Sequence, residues 1–474
     1  MMFKKPEIGK MDKNITKVEW GIALAAIIIP FFSFLGADTN SIVRWGIDVF
    51  KSIFDGQFFN YYEYGFESYK SGLMSHPPDY DMVFTSTVGV WEAPIAIIEF
   101  LSGKILQRNI LALIYSKSIL LIFLFLSAEM VKKIAMELKV SETNAKWAEF
   151  MFVTTGLVLS YVCIVGQYDI MGIFFSLVGV YYYIKRDMKR FGLMFIIAVQ
   201  YKYFPLLFFI PLILLQVKKV WKILLYVIPP LITLFLIRLP FNSGSGTVLA
   251  KADAEKSYIV DRIFGNRIPI LNTEVPLSFL LVGAVCIFCY LKEVREEELG
   301  YYAVYIPFLT MGVFFLSCPF DAFWLIYITP WIPILYFMRK DLGEKYFWIE
   351  TGMVGSILVA QYASVEYLFD LENARYMILD KLLYRYENFT NPLAVGDVMG
   401  VLGLWEYKYL LYALYILCLS TMLILYRPKK NMEYKSEEFS SRKVLWTRFG
   451  IQYAVVILPL FLYIVSIFRE LILF

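Results

Sequence analysis

The chain has 474 residues, of which 59% are hydrophobic and 18% charged, and its formal net charge is only +4. Soluble domains are about 45–50% apolar, and many runs here reach the ~20 apolar residues that a membrane-spanning helix needs. That composition predicts an all-α polytopic membrane protein forming a single transmembrane domain over 1–474. A small charge spread along the chain excludes nucleic acid as a partner. The five cysteines, Cys163, Cys286, Cys289, Cys318 and Cys418, fall in or beside apolar runs. They read as small buried residues, with neither a disulfide framework nor zinc-ligand spacing.

Residues 1–17 hold five lysines, which places them inside by the positive-inside tendency. The first apolar run has this basic flank but no small-residue cleavage site, so it reads as a retained anchor. Eleven full spans are expected near 18–37, 109–131, 147–165, 167–184, 220–239, 275–292, 301–317, 322–338, 346–365, 406–426 and 449–472. Residues 191–217 differ. They form two short apolar runs broken at Lys202 and Pro205, each only ~20 Å long as a helix, and read as a hairpin or re-entrant pair. Lys and Arg concentrate in the alternate segments 132–146, 185–190 and 427–448. This orients the protein in a cell membrane with the N-terminus in the cytoplasm and the C-terminus outside. The outer loops are then 38–108, 241–274 and 368–405.

The first of these loops is long, acidic and rich in Tyr and Phe. Within it, Trp45, Val49 and Ile53 recur at helical spacing over 44–54, the pattern of an interfacial helix. Residues 88–103, VGVWEAPIAIIEFLSG, look like a span, but a span there would invert every later loop. Glu92 and Pro94 fit a short element dipping into the outer interface, so that reading is taken. His76, the only histidine, reads as a structural loop residue. Asn242, Gly244 and Gly246 suggest a mobile second loop.

The stretch from Gly166 to Pro205 carries the polar side chains that lipid cannot use. Gln167 and Asp169 open an apolar helix, Lys185, Arg186, Lys189 and Arg190 form a basic turn, and Lys202-Tyr203-Phe204-Pro205 closes a second run. Ionisable groups at membrane depth are costly and face a bundle interior or a wet cavity. The stretch therefore reads as one wall of a site, with Lys202 within reach of the Gly166–Asp169 turn.

Gly-Gln-x-Asp at a helix start, a basic turn, then Lys-aromatic-aromatic-Pro resembles the GT-C class of membrane glycosyltransferases. It is similar above all to the polyprenyl-phosphate-sugar-dependent mannosyltransferases, including the GPI first-mannose enzymes and their bacterial relatives. The resemblance covers roughly residues 36–240. It implies a GT-C-like bundle and an inverting transfer of a sugar, mannose favoured, from a polyprenyl-phosphate donor to a glycan or glycolipid acceptor on the outer membrane face. It also implies an acidic catalytic base at the start of the first outer loop, which is Asp38 in Gly36-Ala37-Asp38-Thr39-Asn40. Asp48, eight residues before Gly56, resembles a second aspartate of that branch. The branch's Asp-x-Asp is Asp38-x-Asn40 here, so a divalent cation has no support from the sequence. Its Tyr-x-Pro element is replaced by Trp91-Glu92-Ala93-Pro94.

A lipid-phosphate sugar donor needs cations or hydrogen-bond donors for the leaving phosphate and a base for the acceptor hydroxyl. Gln167, Asp169, Lys202 and Tyr203 are substrate-binding candidates on that ground, Arg262 and Arg267 by charge alone. Asp321 is a further candidate because it adjoins the aromatics Phe320, Phe323 and Trp324. The alternative is a transporter or flippase for a lipid-linked saccharide, which would need the same polar cavity. Phosphate-loop, dinucleotide and haem motifs are absent from the sequence.

Overall fold

The computed structural model describes residues 15–34, 37–74, 76–106, 109–241, 261–339, 341–364, 393–429 and 442–473. These residues are helical almost throughout. The helices are α1 Lys17–Ser33, α2 Ala37–Phe54, α3 Tyr61–Lys70, α4 Met82–Ser102, α5 Ile110–Glu137, α6 Glu142–Val153, α7 Asp169–Ile184, α8 Met188–Tyr201, α9 Pro205–Gln216 and α10 Val220–Arg238. There follow α11 Leu277–Leu291, α12 Glu296–Ser317, α13 Trp331–Met338, α14 Lys345–Ser364, α15 Val395–Val401, α16 Lys408–Leu425, α17 Arg442–Val456 and α18 Leu458–Leu473. Among the described residues the only strands are a two-stranded antiparallel hairpin, Arg267–Ile270 with Thr273–Pro276.

Among the described residues, five helical stretches are long and apolar enough to cross a membrane: Met82–Ser102, Ile110–Glu137, Val220–Phe241, Glu296–Ser317 and Trp405–Leu425. The number is up to seven if two bent pairs each count as one span. These are Glu142–Val153 with Gly156–Ile164, bent by 41°, and Arg442–Val456 with Leu458–Ser466, bent by 43°. The chain thus has the makings of an all-α membrane protein, with five to seven candidate spans among the described residues, which does not confirm the eleven expected. The runs at 167–184 and 275–292 yield helices of 16 and 15 residues, about 22–24 Å at 1.5 Å per residue. The run at 322–338 breaks into a 3₁₀ stretch, Ala322–Ile328, and the eight-residue α13.

A second correction concerns 88–103. These residues belong to α4, a 21-residue helix whose length and composition alone would let it cross a membrane. Glu92 and Pro94 do not end it. Pro94 lies inside it, and Glu92 is fully buried, its Oε2 accepting from the Ser116 hydroxyl of α5 at 2.8 Å. A crossing α4 would place every later loop on the side opposite to the one expected. Helix α2 also differs from an interfacial helix. Trp45 and Val49 are buried and only Ile53 is exposed, because Val49 packs on α4 at Gly89 and Trp45 is covered by His76 and Tyr80. A side chain at Gly46 would strike Glu92, at 2.6 Å from its Cγ.

The expected break near Lys202 is present. α8 stops at Tyr201, Lys202 is extended (φ −164°, ψ 149°), and α9 starts with Pro205 in its first turn. Proline suits that position, where its missing N–H costs nothing. The chain then doubles back. Phe191 and Phe195 of α8 stack on Phe209 of α9, so the two short helices form a hairpin. α7 and α8 form another, closed by a tight turn in which Asp187 accepts from the Arg190 N–H. Their backbones approach at Gly172 and Gly179. A Cβ on Gly179 would come within 2.6 Å of the Phe195 ring. This close seam sets the start of α7 beside the end of α8.

Candidate functional site

Before α7 the chain leaves regular α-helix. Leu159–Ile164 is π-helical, a form that usually occurs as a single widened turn and often near functional sites. It ends in Val165 and then Gly166, whose φ of +78° suits glycine. A Cβ there would lie 2.7 Å from Thr39 Oγ1 at the start of α2. Gly166 therefore lets the turn pack against α2 and delivers Gln167, Tyr168 and Asp169 into the bundle, all three buried.

That turn and the helix break enclose a cavity of about 480 Å³. Ile42 and Trp45 of α2, the loop residues His76, Asp79, Tyr80 and Asp81, and the turn Gly166, Gln167 and Tyr168 line one side. Val199 through Phe204, Leu207, Ile263, Phe314, Asp321, Phe323 and Trp324 line the other. Lys202 Nζ lies 3.5 Å from Asp169 Oδ1 and donates to the Tyr80 hydroxyl at 2.7 Å. Burial pushes the Tyr80 phenol well above its ordinary range, with Lys202 pulling the other way, so this hydroxyl keeps its proton. Asp81 accepts from Arg238 Nε at 2.5 Å and from the Tyr203 hydroxyl at 3.2 Å, and Arg238 Nη2 donates to that hydroxyl at 2.7 Å. Asp321 is paired with Arg262. Asp81 and Asp321 in the cavity wall, and Asp169 behind Lys202, are thus each paired with a cation. His76 Nδ1 is 2.9 Å from Ser41 Oγ, and its ring lies against Trp45 with centroids 5.1 Å apart.

Of the residues singled out in the sequence, the structure brings together Gln167, Asp169, Lys202, Tyr203 and Asp321, with Arg262 behind Asp321. Two do not join them. Asp48 is buried beside Arg44, 2.6 Å away, in an ion cluster with Glu99 and Lys51 between α2 and α4. Arg267 lies on the β-hairpin, 3.6 Å from Glu274 and largely exposed. Position 38 is the second residue of α2, one turn before Ile42 and two before Trp45, but the Asp38 side chain lies outside the described residues, as do Asn242, Gly244 and Gly246.

No family model, no curated protein and no solved structure matches this chain.

The sequence reading did not single out Trp45, Asp79, Tyr80, Asp81 and Arg238 for the site, and His76, read as a structural loop residue, stands in the cavity wall. A usable signal was present: Pro77-Pro78-Asp79-Tyr80-Asp81 concentrates rigid and polar residues immediately before a helix. Among the described residues, no group of three or more His, Cys, Asp or Glu stands close enough to hold a metal ion. What the cavity offers chemically is one ammonium, Lys202, four tyrosines, Tyr80, Tyr168, Tyr201 and Tyr203, and the carboxylates Asp79, Asp81 and Asp321, set in aromatic and aliphatic walls.

Proposed function

We propose that the chain is an inverting GT-C-type glycosyltransferase that takes a sugar from a polyprenyl-phosphate donor. The observation that carries this reading is the cation at the helix break. Lys202, with the Tyr80 hydroxyl beside it, sits in a cavity whose walls include Phe204, Leu207, Phe314 and Trp324. A phosphate on an apolar tail needs that combination: a donor for its oxygens and greasy walls for the first isoprene units. The acceptor hydroxyl oxygen forms a bond to the anomeric carbon. The anomeric carbon–oxygen bond to phosphate breaks, the polyprenyl phosphate leaves with the electron pair, and the hydroxyl proton passes to the Asp38 carboxylate. One displacement inverts the anomeric centre. Asp38 is the base because position 38 leads the helix whose next turns, Ile42 and Trp45, line the cavity. An ionised carboxylate there can accept the proton.

The direct test is mass spectrometry of lipid-linked and surface glycans from cells carrying the wild-type chain, Asp38→Asn, or no chain. Loss of a positioned base typically costs about 10²–10⁴ in rate. Asp38→Asn is therefore expected to erase the product while leaving the folded protein abundant. Full product with Asp38→Asn would remove the base assignment. Saccharide that accumulates on the wrong side of the membrane, with no bond broken, would replace the transferase with a flippase.

We place the cavity on the outer face of a cell membrane, with the N-terminus in the cytoplasm and the C-terminus outside. In a cysteine-free background, Asp253→Cys should then react with an impermeant maleimide added to intact cells, and Asp187→Cys should not. The reverse pattern would put the site on the cytoplasmic face.

A further inference from the structure

A second cavity of about 470 Å³ lies back to back with the first. Both have Asp321 and Phe323 in their walls. The 161–168 segment is divided between them as well. Tyr161 and Val165 face the second chamber, while Gly166, Gln167 and Tyr168 face the first. The partition is therefore two pieces of chain, the end of the π-helical segment and the 318–323 turn. The chambers differ in character. The first is mostly apolar and holds Lys202. The second presents Arg262, Asn266, Gln361 and Tyr412 against the rings of Phe320 and Tyr415. Its polar groups are held in fixed geometry: Gln361 Nε2 donates to the Tyr412 hydroxyl at 3.1 Å, and Asn266 Nδ2 to the Ser317 carbonyl at 3.2 Å.

We propose that the second chamber binds the neutral, polyhydroxylated headgroup of a second substrate, a saccharide, with the paired Arg262 and Asp321 forming its floor against the first chamber. This rests on the transferase reading for its biological sense, though not for its physical argument. Amide and phenol groups at fixed positions can both donate to and accept from hydroxyls. Aromatic faces take the C–H face of a pyranose, and a charged pair that already neutralises itself hydrogen-bonds to hydroxyls without demanding a charged ligand. A lipid tail has no use for Arg262, Asn266 and Gln361 in one wall. An anion would have to compete with Asp321 for Arg262. A transfer reaction also needs its two substrates to meet at one point, and a wall shared by two chambers supplies one.

The test is photolabelling of the full-length protein in lipid nanodiscs, without turnover. The probe is an octyl glycoside with a diazirine on its sugar, and the control is a diazirine-bearing octanol. Peptides containing 315–323, 357–361 and 412–416 should be labelled by the glycoside several-fold more than by the alcohol, and excess unlabelled octyl glycoside should suppress the labelling. Gln361→Leu/Tyr412→Phe should lower that labelling at least fivefold without moving the unfolding temperature by more than a few degrees. Lys202→Met, in the other chamber, should leave it unchanged. Equal labelling by the alcohol, no competition, or labelling confined to other peptides would overturn the proposal. Sugar transfer detected in the absence of such labelling would sink this subsite and leave the enzyme; labelling with no transfer would do the opposite.

Discussion

Two lysines sit among apolar helices in this protein, and they are satisfied in opposite ways. Lys117 of α5 is fully buried. Its Nζ donates to the backbone carbonyls of Phe31 at 2.9 Å, Phe34 at 2.7 Å and Cys163. An ammonium has three protons to give, and all three go to main chain at the end of α1 and the end of the π-helical segment. Lys202 is 20% exposed to its cavity and bonds to side chains, Asp169 and the Tyr80 hydroxyl. Backbone acceptors cannot leave without unravelling a helix end, so Lys117 fixes the frame: the end of α1 that precedes α2, and the turn that carries Asp169. Side-chain acceptors beside a cavity can be exchanged for a ligand's oxygens. The location of its partners, rather than its depth, separates a structural cation from a usable one.

The sharpest way to break this comparison is Lys117→Met. It strands three buried carbonyls, each at a cost of about 1–3 kcal/mol, and no single substitution elsewhere can repair backbone. The expected outcome is little or no folded protein, read by size-exclusion profile and by thermal unfolding in detergent. A variant that unfolded within a few degrees of wild type would show that Lys117 does not fix the frame.

Lys202→Met comes next. It leaves the Asp169 carboxylate without its cation, but beside a cavity, so the loss should fall below the ~3–5 kcal/mol of breaking a dry pair. Here repair is possible. Lys202→Met/Asp169→Asn should recover most of the unfolding temperature, while sugar transfer stays absent in both variants. Recovery of transfer along with stability would make the pair structural and move the phosphate site elsewhere.

The smallest effect is expected where the same chemistry meets solvent. Asp341 accepts from Arg339 Nη2 and Lys429 Nζ, both at 2.5 Å. The Arg339 hydrogen bond, and after it Lys429, hold the carboxyl well below its ordinary range despite partial burial. A depressed carboxylate contributes stability above its unfolded value of ~3.9 and loses it as pH falls through the lower folded value. Asp341→Asn should therefore lower the unfolding temperature slightly at pH 7, and the difference from wild type should shrink as the pH is taken below ~4. A difference that persisted unchanged at low pH would assign the effect to shape instead of charge. Asp341 is 45% exposed, so screening keeps the effect small.

The part of the site legible in the sequence is the part whose chemistry clashes with its surroundings. Lys202 before Pro205, and Gln167 with Asp169 after Gly166, stand out because apolar runs have no local use for them. The hairpin at 191–217 was readable from the length of its two halves. Tyr80, Asp81 and His76 were not, because polar residues in a long polar loop violate no local rule; only tertiary packing decides which of them docks. Glu92 misled for a related reason. It looked like the edge of a short element, and its partner, Ser116, is on another helix 24 residues away. Arg267 was chosen by charge, and charge does not distinguish a phosphate ligand from the rim of a hairpin. The count of eleven spans is not confirmed because hydropathy registers an apolar run whether or not the helix within it is continuous, as at 322–338.

The π-helical segment has a consequence for how this protein tolerates insertions and deletions. A widened turn holds one residue more than an α-helical one, and each residue of an α-helix advances the chain by about 100° around its axis. Removing one residue from Leu159–Ile164 would let the segment close to an ordinary α-helical turn that ends where the widened one did, so Gly166 would still meet Thr39 and the Asp169 carboxylate would still face Lys202. A deletion further on, inside Asp169–Ile184, has no such slack and would rotate everything after it by about 100°. The widened turn is thus a place in this wall where a residue can be lost without losing phase, and the regular helix that follows it is not.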